Sequence, residues 1–278
     1  MERFALFAQP KYSVYSYYQS KRTADHRGQG RDGGGDDGKC EKEPPLLRPE
    51  VAAAGEMPMI KDAILEILFP PKCILCRKLL EQGEIDLCRS CRVESPWHAK
   101  NNLKFSFLDS WVAVWYYNGY IRKSLHRYKF CNARHYAPAY GRLLAMKIQR
   151  EYPDGFDVLT YVPTSALRTF IRGYDQVELL ASAVCAELGM EPVRCLRKIR
   201  HNRAQSGIVG HAHRRANVLG AYEPVEPERF RGRRVLLLDD IITTGATAGE
   251  CARVLLSAGA EEVHCAAVAV VRNHKTNR

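Results

Sequence analysis

Residues 235–247 read VLLLDDIITTGAT: four apolar residues, two consecutive carboxylates, and a small hydroxyl-rich turn. Val235, Leu236, Leu237 and Leu238 lack the polar alternation of a half-solvated strand, so they read as a central strand covered on both faces. Ligands of open α/β sheets bind where such a strand ends. There Thr243, Thr244, Gly245, Ala246 and Thr247 offer backbone N–H groups, three hydroxyls and the opening of a helix, all suited to a phosphate monoester. Gly245 lets the backbone approach closely. Asp239 and Asp240 suit hydrogen bonds from a vicinal diol. Carboxylates beside a phosphate cradle point to a ribose 5-phosphate, because a site for phosphate alone avoids adjacent negative charge. Two alternatives stand beside this reading: a buried strand ending in a surface acidic turn, and the acidic pair that follows a strand in phospho-receiver domains.

Outward from this string the chain alternates strand and helix. Residues 247–257 carry a helical pattern that stops at Gly259, and the apolar run 263–270 follows as a second strand. Upstream, residues 158–162 form a short buried strand. Residues 175–188 predict a helix, with Asp175 and Glu178 at capping-box spacing and Gly189 as its stop. The aromatic-rich stretch 111–120 has strand character. The expected class is α/β, a parallel sheet flanked by helices.

Two CxxC knuckles, Cys73-Ile-Leu-Cys76 and Cys88-Arg-Ser-Cys91, stand eleven residues apart. Such a pair can place four thiolates tetrahedrally around one zinc ion, with His98 near enough in sequence to substitute for one of them. A closed four-cysteine site has no open coordination position, so the zinc is expected to be structural, and its removal to unfold the module. Unrelated thiols or a redox pair is the competing reading. Cys131, Cys185, Cys195, Cys251 and Cys265 sit among apolar residues and are expected to be buried structural thiols.

Residues 1–56 differ from the rest, with GQGRDGGGDDG at 28–38 and a Pro-rich stretch at 43–49. Such composition buries too little apolar surface to offset chain entropy, and the segment is expected to be a disordered tail. Ordered structure is expected from Met57 or Met59, where MIKDAILEILFP places Ile60, Ile64, Leu65 and Leu68 at helical spacing. A translation start at Met57 or Met59 is one hypothesis, decided by the intact mass of the natively expressed protein. The expected division is a tail over 1–56, an N-terminal helix and zinc ribbon over 57–100, and a main domain with a hood segment over 101–278.

The formal net charge of +11 is unevenly spread: residues 121–150 carry eight Lys or Arg and no carboxylate, and residues 196–222 six and none. Basic segments suit phosphorylated partners, a small anionic ligand or a nucleic-acid backbone alike. The apolar run 263–271 is far shorter than a membrane helix requires, and residues 4–8 are too short for a signal-peptide core, so a cytoplasmic protein with no membrane partner is expected. Oligomeric state leaves no mark in the sequence.

The thirteen-residue string resembles the phosphoribosyl-diphosphate (PRPP) signature of type I phosphoribosyltransferases. Together with residues 73–91, Val162-Pro163, the RGYDQ run at 172–176, Gln205 and RANVLGAY at 215–222, it occurs in the order found in the ComF/GntX family, bacterial proteins with an N-terminal zinc ribbon and a C-terminal phosphoribosyltransferase domain. The similarity covers roughly residues 57–270. The family often has a second proline where this chain has Ser165, and asparagine where it has Asp175. The resemblance implies a type I phosphoribosyltransferase-like sheet behind a small zinc-ribbon module. It implies PRPP or a related nucleotide at Asp239, Asp240 and the loop Thr243 to Thr247, and pyrophosphate contacts from Pro163, Thr164, Ser165 and Arg172. Residues 198–215 resemble the mobile flap, with Arg200, Arg203 and Arg215 as diphosphate contacts.

Such transferases need no protein nucleophile. They position the acceptor, stabilise the departing pyrophosphate with Mg2+ and basic groups, and exclude water. The expected reaction is transfer of a phosphoribosyl group from PRPP to a nitrogenous base, with Asp239 and Asp240 as the catalytic pair. No acceptor motif is found around residues 117–140. The alternative is a non-catalytic PRPP or nucleotide sensor, or a nucleic-acid-associated protein. The resemblance implies an association with competence and DNA uptake, and the zinc ribbon and basic segments suit a DNA or protein partner.

Overall fold

The computed structural model describes residues 70–99, 103–165, 169–170, 173–200 and 218–272. The expected N-terminal tail and the helix after Met59 lie outside them. The chain divides into Met1–Pro70 and Pro71–Arg278, and every element below belongs to the second unit.

The apolar runs assemble into one four-stranded sheet in the order β1-β6-β5-β2, all pairs parallel, from β1 (Ser110–Tyr116), β2 (Val158–Tyr161), β5 (Arg234–Ile242) and β6 (Glu262–Val270). Consecutive strand residues point to opposite faces, and both faces are covered. Val112, Val114, Leu159, Leu236, Leu238 and Val268 face helices α2 (Gly119–Phe130), α3 (Ala137–Glu151) and α4 (Gln176–Leu188). Ala113, Val158, Val235, Leu237, Val263 and Cys265 face α5 (Ala246–Ser257) and a small antiparallel pair, β3 (Leu196–Lys198) with β4 (Tyr222–Pro224). Two covered faces explain why these strands read as unbroken apolar runs. Among the described residues no helix is long and apolar enough to cross a membrane.

Local signals place the helix ends. The Asp175 carboxylate accepts from the N–H groups of Val177 and Glu178 at the start of α4, and Gly189 ends that helix in the left-handed region at φ 69°. Helices α3 and α4 touch backbone to backbone at Gly141, where a Cβ would stand 2.7 Å from that of Ala183. Only glycine fits there.

Strand β5 runs past its expected end at Leu238. Ile241 and Ile242 pair with Ala269 and Val270, so Asp239 and Asp240 lie inside the ladder and not in the turn. The aromatic stretch 111–120 is strand only to Tyr116, because α2 opens at Gly119. Of the expected buried thiols, Cys185, Cys195, Cys251 and Cys265 are buried, whereas Cys131 after α2 is half-buried.

The cysteine module, with its short helix α1 (Arg89–Glu94), packs on the α2 side of the molecule, where Ile74, Leu75 and Leu87 join the same core as Ile121, Leu125 and Tyr128. Leaving the module, the chain runs along β1: Trp97 bridges Trp115 in antiparallel sense, and the His98 N–H donates to Val114 O at 2.9 Å. That contact covers an edge strand otherwise open to pairing with another chain.

Candidate functional site

With all four strands parallel, the segments that leave them emerge at one edge. The loops after β5 and β2 are neighbours because those strands are, and the Val162 N–H donates to Leu238 O at 2.9 Å. After β5 come exposed Thr243, half-buried Thr244 and buried Gly245 at φ 73°, which is the N-cap of α5. The Thr244 hydroxyl accepts from the Ala246 N–H at 3.4 Å. The ring of Phe105 lies over Gly245, so close that a Cβ there would stand 2.2 Å from its nearest atom. The turn is shaped from outside as well as from its own residues, and Phe105 is a contributor that sequence patterns did not reveal.

The two carboxylates divide between the faces of the sheet. Asp240 continues the row of Leu236 and Leu238. Its Oδ1 takes the Lys129 ammonium at 2.8 Å and its Oδ2 accepts from Gln176 Nε2 at 3.0 Å. Asp239 continues the row of Val235 and Leu237, and its Oδ1 accepts the Asp240 N–H at 2.8 Å. Both are buried, at 8% and 5% exposure. Burial, and then the neighbouring charge of Asp240, push the Asp239 carboxyl up to about 8. Burial also raises the Cys251 and Cys265 thiols far above their usual range, which leaves them inert packing groups.

The loop after β2 is held by the N-cap of α4. Asp175 Oδ2 accepts from the Thr164 N–H at 2.7 Å and Oδ1 from the Thr164 hydroxyl at 2.9 Å, with Pro163 and Ser165 buried on either side. The ring of Tyr174, the residue before Asp175, lies under the Arg134 guanidinium, whose central carbon is 4.0 Å from the ring centroid. The structure therefore brings Asp239, Asp240, residues 243–247 and residues 163–165 to one edge. Arg172, Arg203 and Arg215 lie outside the described residues. Arg200 is exposed at the root of the expected flap, where the Ile199 N–H donates to Ala221 O. That root is fastened to α5 by buried Glu250, which accepts the Gly220 N–H at 2.8 Å and pairs with Arg253.

The basic stretch 121–150 is largely turned inward. Arg127 donates to the carbonyls of Ile74 and Leu75, Lys129 binds Asp240, Arg142 pairs with Asp86, Lys147 with Glu151, and Arg134 covers Tyr174. Arg122, Lys123 and Arg150 remain exposed.

The sulfur atoms of Cys73, Cys76, Cys88 and Cys91 lie within 4.8 Å of one another, with Cys76 and Cys88 at 3.6 Å. Tetrahedral zinc with bonds of about 2.3 Å separates its sulfurs by about 3.8 Å, so the four fit one ion. His98 is no part of this cluster. It sits between the rings of Trp111 and Tyr116, at centroid distances of 4.8 and 5.1 Å, and burial pushes its imidazole down to about 4. Pairing of its N–H along β1 points the chain away from the knuckles.

Two family models match the chain in this order: a double zinc ribbon domain model matches residues 64–102, and a phosphoribosyl transferase domain model matches residues 178–278. Competence protein F of Haemophilus influenzae is 28% identical over 221 residues, covering 70% of this chain and 95% of that protein. Competence protein ComFC of Bacillus subtilis is 27% identical over 191 residues, covering 67% and 72%. Among solved structures, the glutamine PRPP amidotransferase of B. subtilis, complexed with ADP and GMP, aligns at 23% identity and a TM-score of 0.36, over 51% of this chain and 30% of that one.

Proposed function

We propose, from the premise that this chain belongs to the ComF family, that it binds PRPP at the edge of β5 and transfers the phosphoribosyl group to a nitrogenous base. The carrying observation is the junction of β5 and α5: two buried carboxylates lead directly into a glycine-shaped turn and a helix N-terminus. In this reading the 5-phosphate sits against the amides and hydroxyls of residues 243–247, where the helix dipole favours an anion. The ribose hydroxyls, which both donate and accept, meet Asp239 and Asp240. The Asp239 carboxyl accepts from a diol in either protonation state and donates as well when it carries its proton, so burial does not prevent it from binding one.

The diphosphate would extend toward residues 163–165, with Arg172 and the flap arginines Arg200, Arg203 and Arg215 closing on it. Carboxylates and hydroxyls are hard oxygen donors compatible with Mg2+, which arrives with PRPP and neutralises charge on the leaving pyrophosphate. Pairing Asp240 with Lys129 keeps an acidic residue next to a polyanion without net repulsion.

The test is incubation with PRPP, Mg2+ and a panel of bases while pyrophosphate release is followed, beside an Asp239→Asn/Asp240→Asn variant. Release by the wild type alone supports transfer. Failure to bind PRPP at all refutes the site. A second reading, a PRPP or nucleotide sensor acting in competence or DNA uptake, draws support from the names of the relatives, and tight PRPP binding without turnover would favour it. A direct DNA contact draws less support from residues 121–150, because five of their eight cations face protein groups. Salt-dependent binding of DNA would restore that contact. The domain division, zinc ribbon ahead of a phosphoribosyltransferase-like domain from about residue 101, is part of the same proposal, as is cytoplasmic residence.

A further inference from the structure

The last turn of α2 sends three consecutive side chains to three different parts of the molecule. Arg127 Nη2 donates to Ile74 O at 2.9 Å and Leu75 O at 2.8 Å, the two carbonyls between Cys73 and Cys76, while its Nε donates to the Tyr136 hydroxyl at 3.1 Å. The Tyr128 hydroxyl donates to Gln176 O at 2.6 Å. Lys129 Nζ donates to Asp240 Oδ1 at 2.8 Å, and Gln176 closes the circuit on Asp240 Oδ2 at 3.0 Å. One turn earlier, Ser124 Oγ adds a second bond to Ile74 O at 2.5 Å. Ile74 and Leu75 are 5% and 1% exposed, so their carbonyls have no water to turn to.

We propose that Lys129 is a positioning residue for Asp240, and that the first cysteine knuckle is the footing of the helix turn that carries it. The proposal rests on the reading of Asp240 as a donor-site residue. Lys129 and Gln176 take one carboxylate oxygen each, which fixes the plane of the carboxylate and leaves each oxygen a further lone pair. A knuckle whose thiolates are gathered holds the Ile74 and Leu75 carbonyls at fixed positions, and Nη2 of Arg127 donates to both while Nε holds the Tyr136 hydroxyl. Lysine in place of Arg127 has a single donor nitrogen on a shorter stem, so it cannot hold the two carbonyls and the Tyr136 hydroxyl together. Loosening the knuckle therefore loosens residues 127–129 together, and Asp240 with them.

The experiment compares the wild type with Lys129→Met, Lys129→Arg, Arg127→Met and Arg127→Lys. It measures PRPP–Mg2+ binding by calorimetry, zinc content, thermal stability, and amide hydrogen exchange across residues 239–250 without ligand. Lys129→Met is expected to weaken PRPP binding at least tenfold with zinc content unchanged, and Lys129→Arg to restore most of it. The Arg127 variants are expected to keep their zinc, weaken PRPP binding by a similar factor, and speed exchange across residues 239–250. Arg127→Lys carries the test if Arg127→Met does not fold. Wild-type binding and exchange in Lys129→Met would overturn the role of Lys129. Weak binding in Lys129→Met with wild-type behaviour in both Arg127 variants would overturn the footing. If the wild type itself binds no PRPP, the donor-site reading fails, and the exchange measurement still decides whether the knuckle and Lys129 hold the β5 edge.

Discussion

Replacing Gly245 with alanine tests the shape of the phosphate turn with one methyl group. At φ 73° an L-residue costs about 1 kcal/mol. The new Cβ would also stand 2.2, 2.6 and 2.7 Å from three atoms of the Phe105 ring, which is itself buried. Overpacking of this kind costs about 1–3 kcal/mol. The total, about 2–4 kcal/mol, appears as lost stability if the turn keeps its form, or as lost affinity if the turn swings aside. In affinity it corresponds to a roughly 30- to 1,000-fold rise in the Kd for PRPP. Urea denaturation and calorimetry with PRPP–Mg2+ on the same preparations read both parts. Phe105→Ala supplies the cross-check: alone it opens a cavity at about 3–5 kcal/mol, but combined with Gly245→Ala it removes the clash, so the double variant should be less damaged than the sum of the two. A Gly245→Ala protein with wild-type stability and affinity, or a strictly additive double variant, would refute the packing of Phe105 on the turn.

Gly141→Ala should destabilise the protein by about 1–2 kcal/mol in urea, because contact with the Ala183 Cβ at 2.7 Å and carbonyl carbon at 2.8 Å outweighs the gain of about 1 kcal/mol in helix propensity; a more stable variant would mean the helices are not in that contact. Asp175→Ala should cost about 2–3 kcal/mol, since it uncaps α4 and orphans the Thr164 donors, whereas Asp175→Asn, still an acceptor, should cost less than half as much by chemical denaturation. For His98, whose folded value of about 4 lies below the ordinary 6.5, the unfolded chain takes a proton that the folded one refuses as pH falls between those values. Stability should therefore drop on acidification across that window by up to about 3 kcal/mol, and His98→Gln should flatten the slope; equal slopes in both proteins would rule the histidine out. Chelation should release one zinc per chain from the four cysteines and lower the melting temperature, and an unchanged melt after full metal loss would count against a structural ion.

Where the sequence was legible, the physics was local. A strand covered on both faces shows as an unbroken apolar run, a capped helix shows its Asp175 and Gly189, and paired knuckles show their spacing. The turn at residues 243–245 carries its own glycine. The strand limit was misplaced because Asp239 and Asp240 look like surface residues, and nothing local says that Ile241 and Ile242 will pair with β6. Lys129 and Asp240 are 111 residues apart, and no short-range pattern links them. The charge of residues 121–150 suggested an outward anionic partner, but the buried stripe of Ile121, Leu125 and Tyr128 places Arg127 and Lys129 on its margins. Helical phase held information that charge counting discards.

The division of Asp239 and Asp240 between the two faces of β5 has a consequence for how variation can accumulate. Each acid answers to a different layer: Asp240 to α2 and α4, Asp239 to the layer of α5 and the cysteines behind it. Substitutions within one layer share partners and should show strong epistasis, while pairs taken across the sheet should combine nearly additively except at the two acids, whose charges act on each other. Two neighbouring residues of one motif would thus pack under separate constraints, with the backbone between them and the charge they share as what both layers must preserve.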